Sequence, residues 1–286
     1  MKKILIFGKD GQLGNDLIRV FGQGYEQVAL NRERVDVANS GAVSQVIEKE
    51  KPDFVVNATA YNKVEAAEQE KDLAFAINGE AVGKLAKAAK ATEAVFVHVS
   101  TDYIFDGSKD FFVENDAPHP LNAYGSSKLA GENAVRKISE KYYLVRTSSV
   151  FGAKEGNQKK NFVDKMIALA KAGQILKVVD DQIMSPTYSY DLASKIKELI
   201  EMPAPFGIYH ITNSGSCSWF EFASKALELM GINAKIQAID TASSGSKVKR
   251  PSKSILKNQA LVEIGLPPMP PWEDALKRYL QEKYNL

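Results

Sequence analysis

Tyr124 and Lys128 stand four residues apart in the stretch Leu121-Asn122-Ala123-Tyr124-Gly125-Ser126-Ser127-Lys128, after a proline-containing loop and at the start of a helical pattern. On a helix that spacing stacks both side chains on one face. A phenol held beside an ammonium can act as a proton donor. The ammonium favours phenolate, so the spacing predicts a Tyr124 pKa drawn down from about 10 toward the working pH. Surface helices carry the same spacing without any chemistry, so its meaning depends on the rest of the chain.

Upstream, Gly8-Lys9-Asp10-Gly11-Gln12-Leu13-Gly14 lies between an apolar run at 4–7 and the helical pattern of Leu13, Leu17, Val20 and Phe21. Glycines three apart let the backbone turn tightly and approach a pyrophosphate at a helix N-terminus. A strand before and a helix after are the context this motif requires, a ligand-free tight turn being the alternative. NAD-binding chains carry an acid about twenty residues further on, at the end of the second strand. This chain has Asn31-Arg32 there, which favours NADP(H) and allows NAD(H). That Arg32 only solvates a loop stays open. Just beyond, Asp36-Val37 can accept from an adenine amino group, or Asp36 caps a turn. Ala58, Thr59 and Ala60 follow a third strand, where small residues admit a ligand or serve tight helix packing. The fourth strand ends in Ser100-Thr101-Asp102-Tyr103, which sets the Thr101 hydroxyl at the crevice where ligands bind in open α/β sheets.

The elements that must position these residues alternate. Strands are expected at 4–7, 28–30, 54–56, 95–99 and 143–146, and helices around 13–21, 43–47 and 72–90 and from Tyr124 onward. The fold class is α/β, a Rossmann-like doubly wound parallel sheet over 1–151. Residues 152–286 read as a smaller mixed α/β substrate-binding lobe, interleaved with the first domain by segments that return to it. Helices are expected there at 162–172, 220–230 and 272–284, strands at 176–179 and 208–211, and flexible loops at 154–160 and 240–249. The formal net charge of +2 over 286 residues argues against nucleic acid or an anionic membrane as the main partner. One cysteine, Cys217, excludes an intrachain disulfide and fits a reducing cytoplasm. No apolar run approaches the roughly 18 residues of a membrane span, and the N-terminal run is too short for a signal peptide. His98, His119 and His210 are scattered without metal-ligand spacing, and no metal is expected.

On these residues the chain resembles the extended short-chain dehydrogenase/reductase superfamily. More narrowly, it is similar to the dTDP-4-dehydrorhamnose reductase family. The matching blocks are 8–14, 57–60, Ser100-Thr101-Asp102-Tyr103-Ile104-Phe105-Asp106-Gly107, 120–132, Val145-Arg146-Thr147-Ser148, 179–187 (with Asp181, Gln182, Ser185, Pro186 and Thr187), 209–222 and Arg250-Pro251. The resemblance implies hydride transfer from NAD(P)H to the C4 ketone of a dTDP-linked 6-deoxy-4-keto sugar, giving dTDP-L-rhamnose. It implies that Tyr124 donates the proton, that Lys128 tunes it and bonds the nicotinamide ribose, and that Thr101 hydrogen-bonds the same oxygen. Gly8, Gly11, Gln12, Leu13 and Gly14 would then hold the pyrophosphate, with adenine near Asp36-Val37.

Sugar-nucleotide contacts are implied for Thr101, Asp102, Tyr103, Gln182, Thr187 and Arg250. A guanidinium suits a diphosphate, a solvated loop charge beside Lys247 and Lys249 being the alternative for Arg250. Some relatives use magnesium at a dimer contact. No acidic cluster here matches that site, and a homodimer is allowed. One departure concerns Ser149, which stands where the family commonly has an aromatic, so the sugar itself stays open. Two other classes remain. One is another NDP-4-keto-6-deoxysugar reductase, or an NDP-sugar epimerase or dehydratase, although Tyr103 stands where dehydratases carry a second acid. The other is a non-catalytic NADP-binding regulatory subunit, against which the intact Thr101, Tyr124 and Lys128 argue.

Overall fold

The computed structural model describes residues 1–152 and 161–285. The strand β1 (Lys2–Phe7) explains the layering. Its side chains alternate, so Ile4 and Ile6 enter one core cluster while Leu5 and Phe7 enter another. A strand apolar on both faces needs cover on both. Helices Gln12–Phe21 and Ser189–Glu201 bury Leu17, Phe21, Leu192 and Leu199 on the first face. Helices Ser40–Glu50, Ala81–Ala91 and Ala123–Ile138 bury Val43, Leu85 and Val135 on the second.

The remaining strands are β2 (Tyr25–Leu30), β3 (Phe54–Asn57), β4 (Val95–Thr101) and β5 (Tyr142–Thr147). With Gly207–His210 they form a six-stranded sheet in the order Gly207–His210, β5, β4, β3, β1, β2. Every pairing in it is parallel. This is the doubly wound parallel sheet expected, with one strand drawn from the second half of the chain. The connection from β1 runs to one side, to β2, and then crosses to β3 on the other. The switch point, where ligands bind in such sheets, lies between β1 and β3.

The rest of the second half is mixed α/β. Val150–Phe151 pairs in parallel with Thr187–Tyr188, Leu176–Val179 in parallel with Ile236–Ile239, and Ile183–Met184 antiparallel with Cys217–Ser218. Helices Phe162–Lys171, Trp219–Leu229 and Trp272–Tyr284 close over a core containing Phe151, Tyr188, Phe222 and Tyr279. Among the described residues no helix is long and apolar enough to cross a membrane.

Two of the differences from expectation concern long helices. Helix Ser189–Glu201 falls where none was assigned, although Leu192, Ile196 and Leu199 carry the spacing and are fully buried. The alanine-rich helix expected over 72–90 is interrupted by a π turn at Ala76–Glu80. There the neighbouring helix comes very close, and a Cβ on Gly131 would lie 2.2 Å from the Asn78 carbonyl oxygen. The widened turn directs the Asn78 amide inward. Its Oδ1 accepts from Tyr61 N at 2.8 Å, and its Nδ2 donates to the Tyr61 carbonyl at 3.0 Å and to Ser127 Oγ at 2.9 Å. The helix that carries Tyr124 and Lys128 is thereby fastened from the side. The 240–249 segment, expected as a loop, contains a short turn at Ala242–Ser244, and Asp181 accepts from the Thr241 amide and hydroxyl just before it. The loop expected at 154–160 lies outside the described residues.

Candidate active site

After Phe7 the chain turns at Gly8 with φ +93°, a conformation open to glycine. A Cβ on Gly8 would come within 3.0 Å of the Ala58 carbonyl, and one on Gly14 within 2.0 Å of the Gly8 oxygen. The first glycine therefore lets the loop lie against the end of β3, and the third lets the following helix pack beneath the loop. That helix has Gly11 as its N-cap, no side-chain cap bond and no acid in its first turn. Its leading N–H groups are left for an anion.

The loop and the C-terminal ends of β1 to β5 surround one cavity of about 560 Å³. Of the residues predicted to hold cofactor, all but Gly14 border it, and Gly14 supports the loop from behind. Thr101 and Asp102 border it as well. Arg32 stands at the mouth with its side chain 79% exposed, and its Nε donates to Asp36 Oδ2 at 3.1 Å. That bond uses one of five N–H donors and orients the planar group, leaving the outer edge of the guanidinium for an anion. Behind it, Asn31 Nδ2 donates to Asp10 Oδ2 at 2.9 Å. Ser100 Oγ and Thr147 Oγ1 are buried, border the cavity and have no hydrogen-bond partner among the described residues. A glycine cradle, a bare helix N-terminus and two buried hydroxyls without partners fit a dinucleotide with a polar nicotinamide end.

The Tyr124 helix starts at Asn122, whose Oδ1 accepts from Gly125 N at 2.8 Å. A Cβ on Gly125 would lie 2.1 Å from the Tyr103 carbonyl oxygen, so glycine lets the helix begin against the turn after β4. Glu68 Oε1 accepts from Ala123 N at 2.7 Å and satisfies another end donor. Tyr124 and Lys128 then both face the cavity. Lys128 is 2% exposed and its Nζ donates to the Val99 carbonyl at 2.7 Å. Burial pulls its pKa down to about 8, while the Glu132 carboxylate one turn on opposes the fall.

Tyr124 corrects the expectation of a lowered phenol. Burial pushes its pKa above the ordinary value; a hydrogen bond with Thr101 offsets part of this, and Asp102 and Tyr103 add to the rise. Spacing on a helix sets proximity to Lys128, but desolvation outweighs it here, and the ammonium is aimed at Val99. Tyr124 is therefore held as a neutral phenol.

The other predicted substrate residues divide. Tyr103 packs edge-on against Tyr124 with ring centroids 5.9 Å apart, and Arg250 hydrogen-bonds Tyr103 and pairs with Glu65. Neither lines the cavity. Gln182 and Thr187 do not reach it either. Gln182 Nε2 donates to Thr241 Oγ1 at 2.9 Å, and Thr187, fully buried, donates to the Ser185 carbonyl at 3.2 Å. Both of these hydrogen bonds lie within the second half, where Thr187 pairs with Val150, itself at the cavity wall.

Sequence reasoning missed two supports. Arg146 on β5 reaches Glu132 through both Nε and Nη2, the latter at 2.8 Å, with side chains 2% and 1% exposed. Ser148 Oγ donates to Asp102 Oδ2 at 2.9 Å, while Thr101 Oγ1 donates to Oδ1 at 3.1 Å. Arg146 and Ser148 stood in a block noted for its resemblance, yet nothing local named their partners. Ser149, noted for its departure, borders the cavity with φ +46°.

The arrangement is a neutral phenol beside a threonine hydroxyl and a buried ammonium, in a cavity that also holds the glycine loop at the C-terminal edge of a doubly wound sheet. A family model described as RmlD substrate binding domain matches residues 1–285. The chain is 40% identical to the spore coat polysaccharide biosynthesis protein SpsK of Bacillus subtilis (strain 168), over 99% of this chain and 98% of that one. It is 37% identical to a dTDP-4-dehydrorhamnose reductase of Burkholderia thailandensis, with 96% of each chain covered. The crystal structure of dTDP-4-dehydrorhamnose reductase from Bacillus anthracis str. Ames in complex with NADP is similar with a TM-score of 0.94 and 38% identity, over 99% of this chain and 100% of that one.

Proposed function

This chain belongs to the RmlD substrate binding domain family, and on that premise we propose that it reduces the C4 ketone of dTDP-4-dehydro-6-deoxy-L-mannose to dTDP-L-rhamnose with NADPH. The observation that carries the reading is the meeting of Tyr124 with Thr101 at the cavity wall, one helical turn from Lys128. Relatives that are dTDP-4-dehydrorhamnose reductases by name, and one solved with NADP, support it.

The loop of Gly8 and Gly11 and the N–H groups of the first helical turn take the pyrophosphate. Arg32 takes the ribose 2′-phosphate, and Asp36 and Val37 flank the adenine. Bound in this way, the nicotinamide supplies the hydride for the ketone carbon. Every proton movement belongs to the chain. Tyr124, neutral because it is buried, gives its proton to the C4 oxygen as negative charge develops there. Lys128, held against Val99, then faces a phenolate rather than a phenol, so its charge acts after the transfer. The working compartment in this reading is the cytoplasm, which keeps both reduced NADP and the lone thiol of Cys217.

The test is loss of reduced-nicotinamide absorbance with purified protein, both cofactors and a panel of 4-keto sugar nucleotides. Oxidation that requires the dTDP-linked 6-deoxy-4-keto sugar supports the reading. Turnover on a different nucleotide sugar moves the substrate, and tight NADPH binding with no turnover on any of them favours a regulatory subunit. Arg32→Ala is expected to weaken NADPH by about tenfold or more, the worth of one hydrogen bond to a charged group, and to leave NADH unchanged. Equal losses for both cofactors in a binding titration would remove Arg32 from phosphate recognition.

A further inference from the structure

Asp102 is a buried carboxyl group that the scheme above leaves unused. It is 2% exposed and borders the cavity just past the end of β4. Its Oδ1 accepts the Thr101 hydroxyl at 3.1 Å and its Oδ2 the Ser148 hydroxyl at 2.9 Å, and Ser254 adds a third side-chain hydrogen bond. The Thr101 oxygen in turn accepts from the Tyr103 amide at 3.2 Å and meets the Tyr124 phenol.

A hydroxyl has one proton and two lone pairs. A carboxylate can only accept, so it pins the Thr101 proton on Oδ1. Thr101 can then only accept from other groups and cannot donate to a ketone oxygen, which is left with the Tyr124 proton alone. A carboxylic acid at the same place can donate to Thr101 instead, which frees the threonine proton for an oxygen in the cavity. We propose that Asp102 is a positioning residue whose protonation state sets the direction of the Thr101 hydroxyl, and with it whether the reacting C4 oxygen receives one hydrogen bond, from Tyr124, or two. The inference rests on the ketone-reduction reading.

The surroundings separate this ionisation from others. Burial pushes Asp102 up to about 6 against the pull of its three hydroxyl partners. The titratable groups that face it are the Tyr124 phenol from the helix Ala123–Ile138 and the Tyr103 phenol from its own turn, with the Arg250–Glu65 pair behind Tyr103. Burial raises both phenols, so neither ionises near neutrality. Lys128, lowered to about 8, gives a separate change on the basic side.

The test is the pH dependence of kcat/KM for ketone reduction, which reports ionisations of the unliganded protein. Wild type, Asp102→Asn and Ser148→Ala are compared, with NADPH binding measured in each to verify folding. The asparagine amide can take the place of Oδ1 and donate to Thr101 at every pH. Wild-type kcat/KM is expected to fall by roughly tenfold to a hundredfold as pH rises through the Asp102 ionisation, the scale of losing one donor to a developing oxyanion. Asp102→Asn should lose that inflection and hold the acid-side value up to the basic limb. Ser148→Ala removes a donor that stabilises the carboxylate, so its inflection should move to higher pH. An Asp102→Asn profile that keeps the wild-type inflection overturns the inference. So does an unmoved inflection in Ser148→Ala, which decides the matter alone if the asparagine variant does not fold. Wild-type protein without turnover on any 4-keto sugar nucleotide would overturn the functional reading and this inference together; turnover with an unchanged asparagine profile overturns only the inference.

Discussion

Tyr124→Phe is expected to bind NADPH as wild type does and to lose about 10²- to 10⁴-fold in kcat, the usual worth of a positioned general acid. The substitution removes one oxygen and keeps the ring, so the edge-on contact with Tyr103 and the wall of the cavity persist. Asn122 still caps the helix and Glu68 still accepts from Ala123 N. The loss should therefore fall on kcat rather than on cofactor affinity, the pattern of an interaction made only in the transition state. Wild-type kcat in the phenylalanine variant would place the proton donor elsewhere.

The second large effect is on stability. Glu132→Ala strands the Arg146 guanidinium in a site where its side chain is 2% exposed. Arg146 keeps hydrogen-bond contact with the Glu114 carbonyl, but its counter-charge is gone. Removing one partner of a buried pair costs about 3–5 kcal/mol, which lowers Tm by on the order of 10 °C in a chain of this size. A second consequence separates charge from packing. Glu132 is the group that opposes the burial-driven fall of Lys128. Without it Lys128 should lose its proton at lower pH, and the basic limb of the rate profile should move toward acid. Pairing Glu132→Leu with Arg146→Met is expected to recover most of the stability, because an apolar pair can fill a buried ionic site. It should not restore the basic limb. A double variant that regains both would show that Glu132 acts on Lys128 only through packing.

Much of this was legible because the relevant forces are local. A run such as Ile4-Leu5-Ile6-Phe7 is apolar in both registers, and that alone demands a sheet covered on both faces. The glycine loop was legible because Gly8 and Gly14 serve a turn and a contact six residues apart. Helix Ser189–Glu201 carries a weaker local signal, its apolar stripe being interleaved with Asp191, Lys195, Lys197 and Glu198. What could not be read depends on partners far along the chain. The π turn follows from Asn78 meeting Gly131, and the anchoring of Glu132 follows from Arg146 on a different strand. The direction of the Tyr124 shift is hidden from the sequence for the same reason. Spacing carries the distance to Lys128 but not the removal of water, and the second governs the phenol. The hydrogen bonds of Gln182 to Thr241 and of Thr187 to Ser185 are likewise invisible in the motif that carries them, as is the place of Val150 at the cavity wall.

The most direct measurement follows an isotope. Purified protein is given NADPH carrying deuterium at the transferable position of the nicotinamide C4, together with dTDP-4-dehydro-6-deoxy-L-mannose, and the product is examined by NMR and mass spectrometry. The account predicts dTDP-L-rhamnose with one deuterium, at C4 of the sugar. Oxidised cofactor with no deuterium in the sugar, or deuterium at any other sugar carbon, would contradict it.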